Sequence, residues 1–250
     1  MIWEQDGWDI SLEGKLNKKI SVCIATYNGE KYIKEQIESI LFQTIKPDEI
    51  VVSDDNSIDK TIEIIKKINS PLIKTFKNKN KGIIKNFENA LTNATGEYIF
   101  LCDQDDIWKN NKIEKVIERL KNYDLVVHNA EIREMNVESK NKRNLFEIYS
   151  SKSGIIKNFY KNSYIGCCMA FNRKILDKSI PFPEKIYMHD AWIGMIGEIS
   201  GKTYFEKEIL MEYRRHGNNA SETCEKSKRS FIQKVMIRLY LLQKLIFNRK

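Results

Sequence analysis

The chain has 250 residues, of which 42% are hydrophobic and 30% are charged, with 11 glycines and only 4 prolines. This composition is typical of a folded, water-soluble domain and excludes a disordered or collagen-like chain. The formal net charge of +8 suits three kinds of anionic partner, which are nucleic acid, an anionic membrane surface and a phosphorylated substrate.

The five cysteines form no C-x-x-C pair and have no zinc-like spacing with the three histidines. An odd number of cysteines without a disulfide framework is typical of a reducing cytosol. The first residues lack the basic start and apolar core of a signal peptide, and no apolar run is long enough to predict a membrane-spanning helix. We therefore expect a cytoplasmic protein.

Residues 1–18 are polar and are expected to form an appended arm. From residue 19 onward, apolar runs that predict strands alternate with segments of helical periodicity. Strands are predicted at 19–26, 49–53, 72–76, 98–102 and 124–128. Helices are predicted between them at about 30–43, 58–69, 82–92 and 109–122. This alternation predicts an α/β fold with a mainly parallel central sheet, flanked by helices and connected by right-handed crossovers.

Polar side chains follow three of the predicted strands. They are Asn28, Asp54, Asp55, Asp103 and Asp105. Parallel strands end at one edge of a sheet, where ligands bind in open α/β folds. With Asp106, three acids fall within four residues and repel one another unless a cation or strong donors neutralise them. Carboxylate oxygens suit Mg²⁺ or Mn²⁺, so the sequence predicts a metal site for a phosphorylated substrate. The alternative is a solvated acidic turn that caps the next helix.

The pattern is less regular after residue 128. The polar segment 131–153 is expected to be a loop, and 164–171 is predicted to be a strand. A helix is predicted to open at 188–192, and short strands are predicted at 203–205 and 209–213.

The C-terminal segment 223–250 predicts a basic amphipathic helix, and residues 226–250 contain no acid. Its apolar face is predicted to hold Phe231, Val235, Leu239, Leu242 and Ile246. The opposite face mostly holds Lys234, Arg238 and Lys244. This pattern favours a helix lying in an anionic lipid surface. The alternative is a helix packed on the protein core, with its basic face in water.

Five segments of the chain resemble the family 2 glycosyltransferases of GT-A fold. They read ISVCIATYN, QIESILFQT, IVVSDDNSIDKT, NKGIIKNFENAL and GEYIFLCDQDDIW. The resemblance covers 19–128 and continues more weakly, through HDAW and YRRHGNN, to about residue 220. It implies a single Rossmann-like GT-A domain over 19–222. A nucleotide-sugar-binding half at 19–128 is then followed by an acceptor-binding half at 129–222.

The resemblance also implies roles for individual residues. The nucleotide-sugar-binding residues would be Ala25, Thr26, Tyr27, Asn28, Asp54, Asp55, Asn80, Gly82, Lys85, Asn86, Asp103, Gln104, Arg214 and Arg215. The ligands of Mg²⁺ or Mn²⁺ would be Asp103, Asp105 and His216, with Asp106 as a supporting acid. Asp190 matches the catalytic base of inverting members. From the residues alone it could equally cap the helix that follows, and His189 is a second candidate base.

The DQDDIW form is similar to bacterial transferases that build O-antigen, capsule or exopolysaccharide, rhamnosyltransferases among them. It implies a UDP- or dTDP-sugar donor and a glycan acceptor, which could be lipid-linked at the inner face of the cell membrane. A sugar-phosphate nucleotidyltransferase would carry a glycine-rich basic loop where Ala25–Gly29 stands. A nucleic-acid-binding protein would show a basic recognition motif, and the scattered cations here predict no nucleic-acid partner. The oligomeric state stays open.

Overall fold

The predicted α/β fold is confirmed. The computed structural model describes residues 18–135, 143–216 and 230–247. The strands are β1 (Ile20–Thr26), β2 (Glu49–Asp54), β3 (Ile73–Lys77), β4 (Tyr98–Asp103), β5 (Ile107–Trp108), β6 (Leu125–Glu134), β7 (Arg143–Asn144), β8 (Met169–Asn172) and β9 (Thr203–Arg215). The helices are α1 (Ile33–Leu41), α2 (Thr61–Ile68), α3 (Ile83–Thr92), α4 (Lys112–Leu120), α5 (Leu145–Tyr149), α6 (Ile155–Tyr160), α7 (Arg173–Ser179), α8 (His189–Ser200) and α9 (Phe231–Phe247).

One sheet runs through the described part of the chain in the order β3-β2-β1-β4-β8-β6-β9-β5, with β7 paired to β6. The first four strands are mutually parallel. The second half continues through antiparallel pairs, except that β6 and β9 run parallel. The central strands β1, β2 and β4 are buried along almost their whole length, as expected for parallel strands covered by helices on both faces. Their carboxyl ends meet at one edge of the sheet.

Helix α1 covers the sheet with one apolar face. On α1 the buried positions Ile33, Ile37 and Ile40 recur at helical spacing, which places them on a single side of the helix. Before α3, Gly82 has φ +102°, a conformation that glycine adopts without steric cost. The loop after β3 can therefore turn sharply into α3 at the carboxyl edge of the sheet.

The polar segment expected to be a loop at 131–153 is partly regular. β6 continues to Glu134 and pairs with the end of β9, and β7 and α5 occupy 143–149. Arg133 forms an ion pair with Glu212 across this ladder at 3.0 Å. Because charged side chains line this part of the ladder, an apolar alternation does not reveal the strand.

Two further element predictions differ from the structure. The apolar run at 164–171 becomes a 3-10 turn at Gly166–Cys168 followed by the short β8. The two predicted strands at 203–205 and 209–213 are one strand, β9, whose pairing with β6 shifts register near Asn129. Such an irregularity bends a strand and interrupts its alternation, which makes one strand look like two.

The C-terminal helix α9 packs against α8, with Leu241 and Leu245 buried. No helix in the described ranges is both long enough and apolar enough to cross a bilayer. The predicted arm at 1–18 lies outside the described residues except for Lys18, as do 223–229 and 248–250 of the predicted C-terminal helix. The division into a nucleotide-sugar half and an acceptor half stays a prediction.

Candidate active site

The acidic turn Asp103–Asp106 connects β4 to β5 at the carboxyl edge of the sheet. Asp105 and Asp106 are buried. Desolvation, followed by the charge of Asp105, raises the pKa of Asp103 to about 7. Desolvation and the charges of Asp105 and Asp103 raise the pKa of Asp106 well above its ordinary value. The turn is therefore not a solvated acidic cap, because its carboxylates are held together away from water.

The end of β9 supplies cationic and aromatic support for this turn. His216 Nε2 lies 3.0 Å from Asp105 Oδ2, and its ring stacks on Tyr32 with centroids 4.4 Å apart. Desolvation raises the pKa of Asp105, and the hydrogen bond and charge of His216 oppose that rise. The structure thus brings together two of the three residues predicted to hold a metal ion, although they are 111 positions apart.

Arg214 is buried beneath the acidic turn. Its Nε donates to the carbonyl oxygen of Asp105, its Nη1 pairs with Glu35, and its backbone N–H donates to Asp106 Oδ1 at 3.2 Å. The guanidinium also lies over the ring of Tyr32, 5.0 Å from the centroid. These contacts give Arg214 a role in positioning the turn. Its predicted contact with the nucleotide sugar stays a prediction.

Asp190 lies in the first turn of α8 and is 8% exposed. Burial raises the pKa of its carboxyl to about 6, although the backbone N–H groups of Ala191 and Gly166 oppose the rise. The charge of Asp190 in turn contributes to the raised pKa of Asp103, which places the two acids in one electrostatic neighbourhood. The N-cap position of α8 belongs to Met188, so Asp190 is not the N-cap residue.

The other candidate base, His189, is buried and stacks on Phe87 with ring centroids 4.1 Å apart. Burial lowers the pKa of its imidazole to about 3. A group that binds protons so weakly accepts one poorly near neutral pH. The raised pKa of Asp190 and the lowered pKa of His189 therefore favour Asp190 as the proton acceptor.

The loop after β1 is held by hydrogen bonds with three other segments of the chain. Gln104 accepts from the Tyr27 backbone N–H at 2.9 Å and donates to the Tyr27 carbonyl oxygen at 3.1 Å. Asn28 accepts from the Ile58 N–H at 2.9 Å, and Asn86 donates to the Thr26 carbonyl oxygen at 3.0 Å. Ala25 pairs with Asp103 in the β1–β4 register. Tyr27 itself is exposed and free to face a planar ligand.

The two acids after β2 have different surroundings. Asp55 accepts from Asn78 Nδ2 at 2.9 Å and from the Gly82 N–H at 2.9 Å, so it joins the loop after β2 to the loop before α3. Asp54 is buried and accepts from Thr26 Oγ1 and from both donors of Ser57. We assign Asp54 to the turn that supports the site.

Three of the predicted nucleotide-sugar-binding residues lie at the edge of the site formed by the acidic turn and the loops after β1 and β2. Lys85 forms an ion pair with Glu88 at 2.6 Å, and the exposed Asn80 donates its backbone N–H to Asn78. Arg215 lies beyond the acidic turn and pairs with Glu134 at 3.3 Å. Their predicted contacts with a nucleotide sugar stay predictions.

Sequence reasoning missed a buried lysine under the site. Lys112 Nζ donates to the Cys167 carbonyl oxygen at 3.0 Å and lies 3.7 Å from the centroid of the Trp108 ring. It begins α4, where a lysine reads as an ordinary exposed helix residue, so no pattern indicates its burial. Its positive charge lowers the pKa of Asp103. Burial lowers the pKa of Lys112 itself, and the charge of Asp106 opposes that fall.

The residues present fit a hard divalent cation. Asp103, Asp106 and Cys167 offer atoms within 4.8 Å of one another, and Asp106 Oδ2 is buried without a hydrogen-bond partner among the described residues. Oxygen ligands suit Mg²⁺ and Mn²⁺. A hydrogen bond from Cys168 and burial raise the pKa of Cys167 well above its ordinary value, which keeps it a thiol and a poor ligand. The carboxylates of Asp103 and Asp106 are thus the better donors of this cluster, which includes neither Asp105 nor His216 of the predicted set.

Comparison with known proteins agrees with this fold. A family model described as Glycosyl transferase family 2 matches residues 21–180. An uncharacterized glycosyltransferase of Nostoc sp. is 31% identical over 85% of this chain and 71% of its own length. The dTDP-rhamnosyl transferase RfbG of Shigella flexneri is 29% identical over 78% of this chain and 72% of its own length.

Solved structures share the fold. S. aureus TarS 1-349 in complex with UDP-GlcNAc has a TM-score of 0.66 at 21% identity, covering 90% of this chain and 66% of that one. The mannosyltransferase PcManGT of Pyrobaculum calidifontis, in complex with GDP-Man and Mn²⁺, has a TM-score of 0.62 at 20% identity, covering 98% of this chain and 69% of that one. This chain therefore spans only about two-thirds of either neighbour.

The mostly parallel sheet with its flanking helices matches the GT-A fold of these solved glycosyltransferases. The chain belongs to glycosyl transferase family 2.

Proposed function

We propose that this protein is an inverting, metal-dependent glycosyltransferase that moves a sugar from a UDP- or dTDP-sugar to a hydroxyl group of a bacterial surface glycan. The observation that carries the proposal is the convergence of the acidic turn, His216 and Asp190 at one edge of the sheet. Several desolvated carboxylates held close together destabilise a fold through their mutual repulsion, unless a ligand compensates the charge. Such a cluster therefore favours a site that binds a ligand over a purely structural role.

Asp190 is the proposed general base. A carboxyl with a pKa of about 6 is ionised near neutral pH, yet it is basic enough to take the proton of an acceptor hydroxyl as that oxygen attacks the anomeric carbon. The new bond to the acceptor oxygen forms as the bond to the diphosphate oxygen breaks, on the opposite face of the sugar. The configuration at the anomeric carbon is therefore inverted.

The leaving diphosphate carries charge that the site must neutralise. A divalent ion held by Asp105 and His216, with Asp103 beside them, would act as a Lewis acid toward that diphosphate. Arg214 holds the turn from below through the carbonyl oxygens of Asp105 and Asp106. Because this guanidinium is already engaged, its contribution is to fix the positions of the acids.

The nucleotide is proposed to lie over the loops after β1 and β2. Asp55 sits between them and can accept from the ring N–H of uracil or thymine, a role implied by its match to the family motif. The relatives support a pyrimidine donor, since RfbG is named a dTDP-rhamnosyl transferase and TarS is described in complex with UDP-GlcNAc. The acceptor is proposed to be a lipid-linked glycan reached from the cytoplasmic face of the membrane.

A thermal-shift panel of nucleotide sugars tests this proposal. UDP-sugars and dTDP-rhamnose are added with and without Mn²⁺. A ligand that binds only the folded state at about 100 times its Kd or more adds roughly 2–4 kcal/mol to stability. We expect such a gain for one donor class, and we expect Mn²⁺ to enlarge it. Asp105→Ala should abolish the Mn²⁺-dependent part of the gain.

The control is Asp177→Asn, which removes an acid from α7 whose side chain is mostly exposed. It should respond to donor and Mn²⁺ as the parent protein does. If no nucleotide sugar shifts the parent protein with Mn²⁺ present, the proposed function is wrong.

A further inference from the structure

The short helix α6 and the C-terminal helix α9 expose many large apolar side chains to solvent. They are Ile155, Ile156 and Tyr160 on α6 and Ile232, Met236, Leu239, Leu242, Ile246 and Phe247 on α9. Single exposed apolar residues are ordinary, but a set gathered on neighbouring elements marks an interaction surface. We refer to these nine residues together as the α6–α9 face.

Direct contacts hold the two helices together. Arg238 of α9 donates to the carbonyl oxygens of Phe159 and Tyr160 at the end of α6, at 3.2 and 2.5 Å. On the body side of α9, Leu241 and Leu245 are buried. At 100° per residue, Ile232, Met236, Leu239 and Ile246 fall on the side of α9 opposite those two leucines. The exposed apolar stripe therefore points away from the protein core.

The two helices that form this face are basic. Neither helix contains an acidic residue, and cations lie on and beside both helices. They are Lys152, Lys157, Lys161, Lys234, Arg238 and Lys244. At 100° per residue the three cations of α9 lie nearer the buried leucines than the exposed stripe. The Lys157 ammonium is buried without a hydrogen-bond partner among the described residues. Burial lowers its pKa, and the charges of Lys161 and Lys152 lower it further, which shows that the three lysines lie close together. Lys152 and Lys161 are exposed, so they carry the positive charge at the surface beside the apolar stripe.

We propose that the α6–α9 face docks on an anionic lipid bilayer, with its apolar side chains among the acyl chains and its lysines at the level of the lipid phosphates. An anionic bilayer binds protein surfaces on which exposed apolar side chains are flanked by cations. A second copy of the chain fits less well, because a symmetric contact would bring each set of cations against its own copy. A nucleic acid would leave the apolar stripe in water.

The docked face is connected to the proposed acceptor side of the site. Tyr240 of α9 accepts from the Lys185 backbone N–H at 3.3 Å, in the loop that leads into α8 and Asp190. The Gly154 N–H, at the start of α6, donates to Glu198 of α8 at 2.8 Å. Docking would thus present the base-bearing helix toward the bilayer. The docking itself does not depend on the proposed function. Only the delivery of a lipid-linked acceptor to Asp190 rests on it.

The exposed surface of α9 is broader than the sequence pattern predicts, and one of its predicted exposed cations is turned toward the protein. Val235, Leu239 and Leu242 do share a side, as predicted, but the broader exposed stripe also includes Ile232 and Met236. Arg238 turns toward the protein and caps α6, so it is not on a free basic face. The positive charge for lipid phosphates comes largely from α6 and its flanks.

Co-sedimentation with lipid vesicles tests the proposal without any nucleotide or sugar. The intact chain is mixed with vesicles of phosphatidylcholine alone or of phosphatidylcholine and phosphatidylglycerol in equal parts. It should sediment with the anionic vesicles, less so as salt is raised, and hardly with the neutral ones. Met236→Glu combined with Leu239→Glu should weaken binding about tenfold or more, because two charges would have to enter the acyl region.

The matched control is Phe42→Glu, since Phe42 is as exposed as Ile232 (74% against 73%) and lies at the end of α1. It should bind vesicles as the parent chain does. Replacing Lys152 and Lys161 with Gln should also weaken binding several-fold and reduce its salt dependence. Because every substituted side chain is exposed, circular dichroism and melting temperature should be unchanged.

Three results would overturn the proposal. One is a parent chain that stays in the supernatant with anionic vesicles. Another is equal binding by the parent chain and the Met236→Glu, Leu239→Glu variant. The third is a parent dimer in analytical ultracentrifugation that the same variant dissociates, with no vesicle binding by either. Donor binding in the thermal-shift panel is independent of all three, so this proposal and the proposed function can fail separately.

Discussion

Asp190 combines two properties that rarely occur together on a helix surface. It is buried at the start of α8, and its pKa is raised to about 6. An ordinary capping aspartate is solvated and strongly acidic, which stabilises the helix but gives a weak base. A carboxyl with a raised pKa stabilises the helix less, because it is less readily ionised, and it is a stronger base. Strongly shifted pKa values of this kind are typical of functional sites.

We expect Asp190→Asn to bind the donor normally and to lose transfer. The amide keeps the size of the side chain but cannot accept the hydroxyl proton, and general-base catalysis contributes about 10²- to 10⁴-fold. Donor binding is measured by thermal shift, and transfer by release of the nucleoside diphosphate. In the parent enzyme, kcat/KM for the acceptor should fall about tenfold per pH unit below pH 6 as Asp190 becomes protonated. Full turnover by the Asn variant would rule out this base.

Other polar residues show why side-chain roles are hard to infer from sequence. Asp54 and Asp55 are adjacent and look equivalent, yet Asp54 is engaged by Thr26 and Ser57 while Asp55 faces the loop that holds Gly82. Arg214 and Arg215 are also adjacent, and one is buried while the other is partly exposed. Which donors and acceptors are already satisfied depends on contacts between distant segments, and local spacing does not record them.

At the scale of elements, the parallel half of the sheet could be predicted closely. β1, β2 and β4 are buried on both faces, so their apolar runs identify them directly. β6 and β9 could be predicted only in part, because their paired ends carry charged side chains and their register shifts near Asn129. The acidic turn was identified from its position directly after the apolar run of β4, and Asp190 was identified as a base through the family resemblance. The contacts that Lys112, Glu35 and Tyr32 make around the site could not be predicted, because these residues are distant from it in the sequence.

The end of β9 offers an element-scale prediction with a built-in control. Arg214→Ala removes the guanidinium that binds Asp105, Asp106 and Glu35, leaving buried carbonyl oxygens without donors. We expect a loss of about 3 kcal/mol in the free energy of unfolding. Urea titration measures the loss, and Mn²⁺ titration should show weaker binding because the turn is no longer held in place.

Arg215→Ala is the matched control, one residue further along the same strand. Arg215 pairs with Glu134 at 3.3 Å in a partly exposed position, and exposed pairs contribute about 1 kcal/mol or less. Its loss should change stability by no more than that and leave Mn²⁺ binding unchanged. Equal effects for the two variants would contradict the positioning role of Arg214. Arg214→Lys should recover little, since an ammonium cannot reproduce the planar fork.

At the scale of the whole molecule, buried acids at opposite edges of the sheet have opposite pKa shifts. At the amino edge, Glu49 begins β2 and accepts from Ser21, Thr95 and Lys74, thereby joining four strands or their turns. Burial raises its pKa, but these hydrogen bonds outweigh burial and lower it to about 2. At the carboxyl edge, burial raises the pKa of Asp190 to about 6 and of Asp103 to about 7. Glu49 is thus held in its ionised form, whereas burial disfavours the ionised forms of Asp103 and Asp190.

These opposite shifts predict how stability depends on pH in metal-free buffer. Glu49 has a lower pKa in the folded state, so its contribution is complete above about pH 4.5 and is lost as the pH falls toward 2. Asp190 has a higher pKa in the folded state, so the folded state binds its proton more tightly. Its contribution to stability should therefore fall as the pH rises from about 4 to 6. The contribution of Asp103 falls in the same way up to about pH 7. Burial lowers the pKa of His189 to about 3, so this imidazole contributes in the opposite sense between about pH 3 and 6.5. The contribution of each acid is therefore measured as the difference in urea unfolding between the parent protein and a variant that lacks that acid.

Two variants separate the edges. Asp190→Asn removes an acid that is destabilising when ionised, so it should be more stable than the parent by roughly 2–3 kcal/mol at pH 8 and equal to it near pH 4. Glu49→Gln should be less stable by about 2 kcal/mol at pH 7, and the difference should narrow below pH 3, where the parent also loses this charge. An Asp190→Asn variant that is less stable than the parent at pH 8 would show that the carboxylate supports the fold. It would then be a structural cap, and the carboxyl edge of the sheet would not be the place where this protein gives up stability for chemistry.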